Sequence, residues 1–303
     1  MTRHVPTAFV LAALVLCAPA AHSQQRDFSK VEIKTTKVAE GVYMLEGAGG
    51  NIGVHAGTDG VLVIDDQFAP LTDKIKAAIV AISDKPIRFL VNTHWHGDHT
   101  GGNENFAKAG VAIVAHDNVR RRMSTEQYNA IFDRRTPPAP AAALPVVTFN
   151  DSVTFHLGGE EITCFHLPPA HTDGDVVVWF RKANVVHMGD CLFNGRYPVI
   201  DIAAGGSAAG MAAAADRMLK VLPADAKLIP GHGPLATPKE LAAFRDMLNT
   251  AIAKVKPLVA AGKSLEEIQK AKPLADLDAT WGSGGMSPEN FLKVLHADFS
   301  RAK

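Results

Sequence analysis

Cysteine is scarce in this chain, three in 303 residues at positions 17, 164 and 191, and that excludes a scaffold built on a disulfide framework. Charge of one sign is lacking as well. Lysine and arginine together number 31 and aspartate and glutamate 31, with no basic run and no stacked-aromatic pattern, so nucleic acid is not an expected partner. The apolar stretch from Ala8 to Leu16 falls well short of the roughly 20 residues that a spanning helix needs. It fits an export signal instead. Thr2-Arg3-His4 precede it, and Ala21-His22-Ser23 offers small residues where a signal peptidase reads. Residues 1–23 are therefore expected to be a secretory signal peptide, with a mature chain of residues 24–303 that is periplasmic or secreted and makes no stable membrane insertion. Cys17 suits lipid attachment poorly, because Leu16 before it is not the small residue that lipoprotein processing prefers. Removing residues 1–23 leaves Cys164 and Cys191, so stability must come from a packed core. With 47% hydrophobic and 20% charged residues, the remaining chain is ordinary for one large domain.

Residues 92–103 are dense in chemistry, reading Asn-Thr-His-Trp-His-Gly-Asp-His-Thr-Gly-Gly-Asn directly after the apolar run Arg88-Phe89-Leu90-Val91. Neutral imidazole and carboxylate are the ligand types that zinc takes. Alternate residues of an extended segment project to the same side, so His94 and His96 can grip one ion while Asp98 and His99, past the turn, face a second. Gly101-Gly102 is expected to turn the chain tightly and bring backbone amides near whatever the metals hold, with a helix beginning near Asn103. One motif cannot close two coordination spheres, and three further segments offer partners. His171 follows a proline turn in Phe165 to Asp175, Asp190 sits at a glycine turn leaving the strand 185–189, and His232 lies between two glycines in Leu228 to Pro234.

This constellation resembles the metallo-beta-lactamase superfamily, whose pattern is His-x-His-x-Asp-His followed by a separate His, an Asp and a final His. The likeness runs from about Val38 to about Leu248. It implies an α/β fold, a four-layered αββα sandwich with the site at one edge. It also implies two zinc ions, one held by His94, His96 and His171, the other by Asp98, His99 and His232, with Asp190 bridging. The family's di-iron members usually carry Glu where His96 stands, which favours zinc, whereas its mononuclear iron dioxygenases share the histidine pattern. Cys191 is a candidate thiolate ligand next to Asp190. The zinc beta-lactamases that use a cysteine usually lack the equivalents of His99 and Asp190, so Cys191 is read as a buried neighbour.

Two zinc ions bring four positive charges, and Asp98, Asp190 and one hydroxide return three, leaving roughly one net positive charge that favours anionic substrates and oxyanions. Zinc lowers the pKa of its water to around 7, so a metal-bound hydroxide is the expected nucleophile, held by Asp98 as the catalytic residue. The expected reaction is hydrolysis of an amide, ester, lactone or thioester. A small anionic cyclic amide, a β-lactam, is the first substrate expectation and a lactone or ester the second. A lysine that many zinc beta-lactamases carry is replaced by Asn194. A glyoxalase-type thioesterase is disfavoured by the want of a basic C-terminal patch, and a non-hydrolytic periplasmic metal-binding or redox accessory protein is the alternative from another class.

Around the motifs, Val- and Ile-rich strands are expected near residues 31–36, 41–46, 51–55 and 61–65, a helix over Leu71 to Ile82, and further strands through 151–190. An alanine-rich helix is expected from Ser207 to Val221, a strand at Lys227 to Ile229 and a helix from Pro238 to Ile252. Asp65-Asp66 are read as solvated turn acids, with a buried carboxylate that orients a metal ligand as the alternative. His116, His166 and His187 are read as packed core histidines. The proline-rich residues 134–145 are expected to form a surface loop. Asn194, Arg196 and Tyr197 are candidate substrate contacts, Arg196 for a carboxylate and Tyr197 for an oxyanion. The helical tail from Ala251 onward suggests packing alone.

Overall fold

Short runs of β-branched and other apolar residues separated by turns produce the first strands, β1 (Lys34–Ala39), β2 (Val42–Glu46), β3 (Ile52–Gly57) and β4 (Gly60–Ile64), in a computed structural model that describes residue 1 and residues 27–301. The expected signal peptide falls almost wholly outside the described residues. The body of the fold begins at Val31. Helix α1 (Thr72–Ile82), whose Ile75 and Ile79 lie on one buried face, leads to β5 (Ile87–Val91). The short turn α2 (Gly97–Thr100) and α3 (Asn103–Lys108) follow, the latter starting where the sequence places a helix. Then come β6 (Ala112–His116), α4 (Asp117–Met123), a hairpin of β7 (Gln127–Asn129) and β8 (Arg134–Thr136), and β9 (Val147–Phe149). The second half contains β10 (Ser152–Leu157), β11 (Glu160–His166), β12 (Val176–Phe180), β13 (Val185–Phe193), α5 (Ala208–Val221) and β14 (Lys227–His232). Helices α6 (Pro238–Ala260), α7 (Leu265–Ala271), α8 (Ala275–Trp281) and α9 (Pro288–Arg301) complete it.

The strands form a seven-stranded sheet in the order β1-β2-β3-β4-β5-β6-β9 and a five-stranded sheet in the order β10-β11-β12-β13-β14. Val42, Met44, Leu62, Ile64, Val91 and Val114 of the first meet Leu157, Ile162, Val178, Phe180 and Ile229 of the second in one buried cluster. The alternate residues Val177, Trp179, Val186 and Met188 face the other way, into a core shared with Met211, Met218, Leu241, Phe244 and Phe291. Both faces of β12 and β13 are thus covered, which is why all their residues are buried and β12 reads as a continuous hydrophobic run. Each such side chain contributes about 1.5–3 kcal/mol of transfer free energy. The result is the expected αββα sandwich.

Three boundaries differ from the sequence reading. Helix α6 runs on to Ala260 with Pro257 inside it, since its apolar face, through Ala251, Val255 and Val259, stays buried. Asp190 lies within β13, not at a turn leaving it; Gly189, at φ 50°, inserts an irregularity and the strand continues to Phe193. The residues 134–145 are only partly a loop. Arg134–Thr136 pair with Gln127–Asn129, and Ala143 is buried, its carbonyl accepting from Asn103 Nδ2 at 2.9 Å.

Candidate metal centre

The ends of β5, β11, β13 and β14 meet at one edge of the sandwich and bring two groups of side chains together. His94, His96, His171 and Asp190 have ligand atoms within 4.8 Å of one another, as do Asp98, His99 and His232. His94 and His96 do not sit in the strand; they follow it in an irregular segment, with His96 extended at φ −67°, ψ 146°. In the first group, His96 Nδ1 lies 3.1 Å from His94 Nε2 and 2.9 Å from His171 Nε2. In the second, His99 Nε2 and His232 Nε2 are 3.3 Å apart, and Asp98 Oδ2 is 3.4 Å from His232 Nε2. Asp190 stands between the groups. Its Oδ2 is 3.4 Å from His171 Nε2 and 3.7 Å from His94 Nε2, and its Oδ1 is 3.2 Å from His99 Nε2 and 3.4 Å from His232 Nε2.

The outward ring nitrogens decide what the inward ones offer. His171 Nδ1 donates to Val199 O at 2.8 Å, His96 Nε2 to Asp201 Oδ2 at 2.9 Å and His99 Nδ1 to Asp65 Oδ2 at 2.8 Å. His94 Nδ1 donates to Thr93 Oγ1 at 3.1 Å, whose own hydrogen goes to Asp65 Oδ2 at 2.7 Å. With the outer proton fixed, each neutral ring presents a bare lone pair to the centre. Lone pairs about 3 Å apart with no hydrogen between them repel unless a cation shares them, and Asp190 Oδ1 is buried with no hydrogen-bond partner. This donor set fits a metal.

Electrostatics agree. Burial opposes charge on His232, yet the attraction of Asp190 and Asp98 outweighs it and pushes this ring up to about 9. His99 is raised in the same way against its burial, by Asp190, Asp98 and Asp65. Burial opposes charge on Asp98 too, but His99 and His232 keep it ionised well below the usual carboxylate range. A pocket that draws protons onto two rings draws divalent cations for the same reason. On the other side, His94 and His171 are held below the ordinary histidine value by burial first, so they stay neutral.

Close backbone approach completes the pocket. A Cβ on Gly231 would meet Asp190 Oδ1 at 2.0 Å and one on Gly50 would meet His99 Cε1 at 2.1 Å, so glycine is required at both by contact.

Several sequence expectations need correction here. Asp65 and Asp66 are not solvated; both are fully buried. Asp65, at φ 60°, accepts from Thr93 N at 2.8 Å as well as from Thr93 Oγ1 and His99, and these bonds hold it in a left-handed conformation that ordinarily suits glycine. The amides of Gly101 and Gly102 do not face the metal ligands, because they donate at 2.8 Å to Gln67 O and Asp66 Oδ1. Tyr197 is buried, its hydroxyl donating to Asp278 Oδ1 at 2.8 Å and its ring stacked on Phe291, which is packing and not oxyanion binding. Asn194 spends its amide on Pro234 O at 3.0 Å, fixing the turn after His232. Arg196 is half-buried against Gly284 and keeps its guanidinium free of ion pairs among the described residues. Cys191 is buried and outside both ligand groups, its thiol pushed far up by desolvation and then by Asp175 and Asp190. His187 donates to Asn51 O at 3.0 Å through Nε2 and accepts from Gly189 N at Nδ1, and His116 stacks on His166 with centroids 4.0 Å apart; all three pack as expected. Asp201 was not singled out from the sequence. Its only signal there is a carboxylate in a segment leaving a metal-bearing strand.

The sequence pattern of the metallo-beta-lactamase superfamily matches residues 45–232. The chain belongs to that superfamily. A metallo-beta-lactamase type 2 from Bacteroides fragilis is 24% identical over 191 residues, 58% of this chain and 69% of that one. A hydroxyacylglutathione hydrolase from Methylococcus capsulatus is 32% identical over 145 residues, and the chain spans only 47% of its length. A solved metallo-beta-lactamase from Pontibacter korlensis superposes with a TM-score of 0.59 at 20% identity, over 72% of this chain and 99% of that one, a likeness of fold. As a superfamily member with these relatives, the chain is a metallo-hydrolase. No helix among the described residues is long and apolar enough to cross a membrane.

Proposed function

We propose that this superfamily member is an exported di-zinc hydrolase that opens β-lactam rings. His94, His96 and His171 would hold one ion and Asp98, His99 and His232 the other, with Asp190 standing between the two groups. The observation that carries the dinuclear reading is the division of Asp190, with one oxygen toward each histidine group and Oδ1 left without a hydrogen bond. Bound there, zinc supplies an acidified water and a Lewis acid for the scissile carbonyl. The chain's own residues do the rest. Asp98, ionised and partly exposed, accepts a hydrogen bond from the attacking water and aims it. Asp65, Asp201 and Val199 O fix the rings so that their lone pairs converge before substrate arrives. Arg196, with no ion pair among the described residues, pairs with the substrate carboxylate. The similarity to the Bacteroides enzyme supports a β-lactam substrate. The similarity to the hydroxyacylglutathione hydrolase supports a second reading, thioester cleavage at the same centre. Residues 1–23, read as a signal, support export.

The test is turnover by mature protein of known zinc content on a chromogenic cephalosporin, a homoserine lactone and a hydroxyacylglutathione thioester, each with and without EDTA. Chelator-sensitive cephalosporin hydrolysis is expected. Turnover of the thioester or the lactone alone would overturn the β-lactam assignment while keeping the centre.

A further inference from the structure

The segment 194–207 has no regular secondary structure, yet it orients two of the three histidines in the first group. Val199 O receives His171 Nδ1, Asp201 Oδ2 receives His96 Nε2, and Asp201 N donates to His171 O at 3.0 Å. A segment without a ladder of its own needs an outside scaffold to keep that geometry. The scaffold is α8 and α9, which lie beyond the family match at residues 45–232. At the start of the segment, Tyr197 N donates to Trp281 O at 2.7 Å, the Tyr197 hydroxyl donates to Asp278 Oδ1 at 2.8 Å, and the ring stacks on Phe291 with centroids 4.4 Å apart. In its middle and at its end, Arg301 donates to Ile202 O at 2.8 Å and to Gly206 O. Just past it, buried Asp298 caps α5 by accepting from Ala208 N at 2.8 Å and is itself held by Arg301 at 3.0 Å.

We propose that α8 and α9 are a positioning element for the His94, His96 and His171 group, with Tyr197–Asp278 and Arg301–Asp298 as two clamps that set the 194–207 segment. The proposal rests on reading His96 and His171 as ligands. The clamps act through Val199 and Asp201 and touch no reacting atom, so Tyr197, Asp278, Asp298 and Arg301 are positioning residues. Partners of this kind, one step outside the ligands, typically change metal affinity 10–100-fold, and a partner one step further out is expected to change it by up to about tenfold.

The experiment is a metal-competition titration with a chromophoric chelator on metal-free mature protein, resolving zinc stoichiometry and the Kd of each step, beside Tm and far-UV circular dichroism. His94→Ala identifies the step that belongs to the three-histidine group. Tyr197→Phe, Asp278→Ala and Arg301→Ala are expected to weaken that step on the order of tenfold and leave the other step near wild type, with Asp278→Asn, which keeps an acceptor, recovering most of the loss. If the clamp variants lower Tm but bind zinc at that step as wild type does, the helices only stabilise the fold and the proposal is overturned. If His94→Ala leaves both steps intact, the ligand reading itself fails, and the clamps fall with it. Asp298→Asn serves where Arg301→Ala does not fold, with the same expected selectivity.

Discussion

The two candidate ligand groups differ in how they are made ready for a cation. The three-histidine group is prepared by geometry. His94 and His171 are buried and held neutral, and all three rings are locked from outside, by Thr93, Asp201 and Val199. The group of Asp98, His99 and His232 is prepared by charge. Two carboxylates hold His99 and His232 above the ordinary histidine value, and Asp98 and His232 remain 32% and 20% exposed. The lesson is that one site can use pre-organisation on one side and electrostatic demand on the other, and that the two should respond differently to mutation and to pH.

The largest effect should come from removing what the groups share. Asp190→Ala strips a ligand atom from each and leaves four histidines facing a hole, so hydrolysis of whichever ester or amide the enzyme accepts should fall by at least about 10³-fold. His94→Ala and Asp98→Ala should each abolish activity as well while leaving far-UV circular dichroism largely intact. A fully active single variant in steady-state kinetics would break the dinuclear reading.

Next come the residues outside the ligands, which should split the groups. Asp201→Ala removes the acceptor of His96 Nε2 and should weaken zinc in the three-histidine group about 10–100-fold, with the other group little affected. Asp65→Asn should weaken chiefly the other group through His99, with a smaller loss relayed to His94 through Thr93, at an added cost in stability, because a buried carboxylate that satisfies Thr93 N, Thr93 Oγ1 and His99 together is replaced by an amide with one acceptor. Stepwise competition titrations measure both, and equal losses in both steps would erase the distinction between the groups.

The pH dependence should separate them further. In the metal-free protein His232 titrates at about 9, above its ordinary 6.5. A raised folded value stabilises the protonated fold, so this contribution is complete below about pH 6.5 and is lost as pH rises through about 9. Tm of the metal-free protein should therefore decline over that window, and His232→Asn should flatten the decline. Zinc competes with the same proton, so affinity at the charged group should rise over the same range, while His94 and His171, already neutral, should bind with little pH dependence above about 6.5.

Which parts of this were legible beforehand follows from the range of the interactions involved. The candidate ligands stand out because four of them lie within six positions, and the strands because short Val- and Ile-rich runs end at glycines. Asp201 meets His96 across 105 positions and Asp65 meets His99 across 34, and no local pattern ties either pair. Tyr197 reads as a substrate contact from its place beside a metal strand, but its hydroxyl is claimed by Asp278, 81 positions away. The hairpin of β7 and β8 is invisible for another reason: Gln-Tyr-Asn and Arg-Arg-Thr are polar and only three residues long, so neither shows an apolar face.

The smallest predicted effect tests why proximity alone does not make a metal group. His116 and His166 stack at 4.0 Å, closer ring to ring than any ligand pair, yet their nitrogens are spent locally. His116 Nδ1 accepts from Asn118 N at 3.1 Å and so caps α4, and His166 Nδ1 donates to Asp175 O at 3.0 Å. His166→Ala should accordingly leave zinc stoichiometry unchanged. Burial first, and then the neighbouring His166, lower the His116 value, and a protonated Nδ1 would point a hydrogen at the Asn118 amide it now accepts from. The stability held by neutral His116 is present above pH 6.5 and lost as pH falls below it. Amide exchange in Asn118 to Met123 should thus quicken as pH falls below about 6.5, and His116→Asn, whose side-chain oxygen can cap the helix without titrating, should remove that acceleration with metal stoichiometry unchanged.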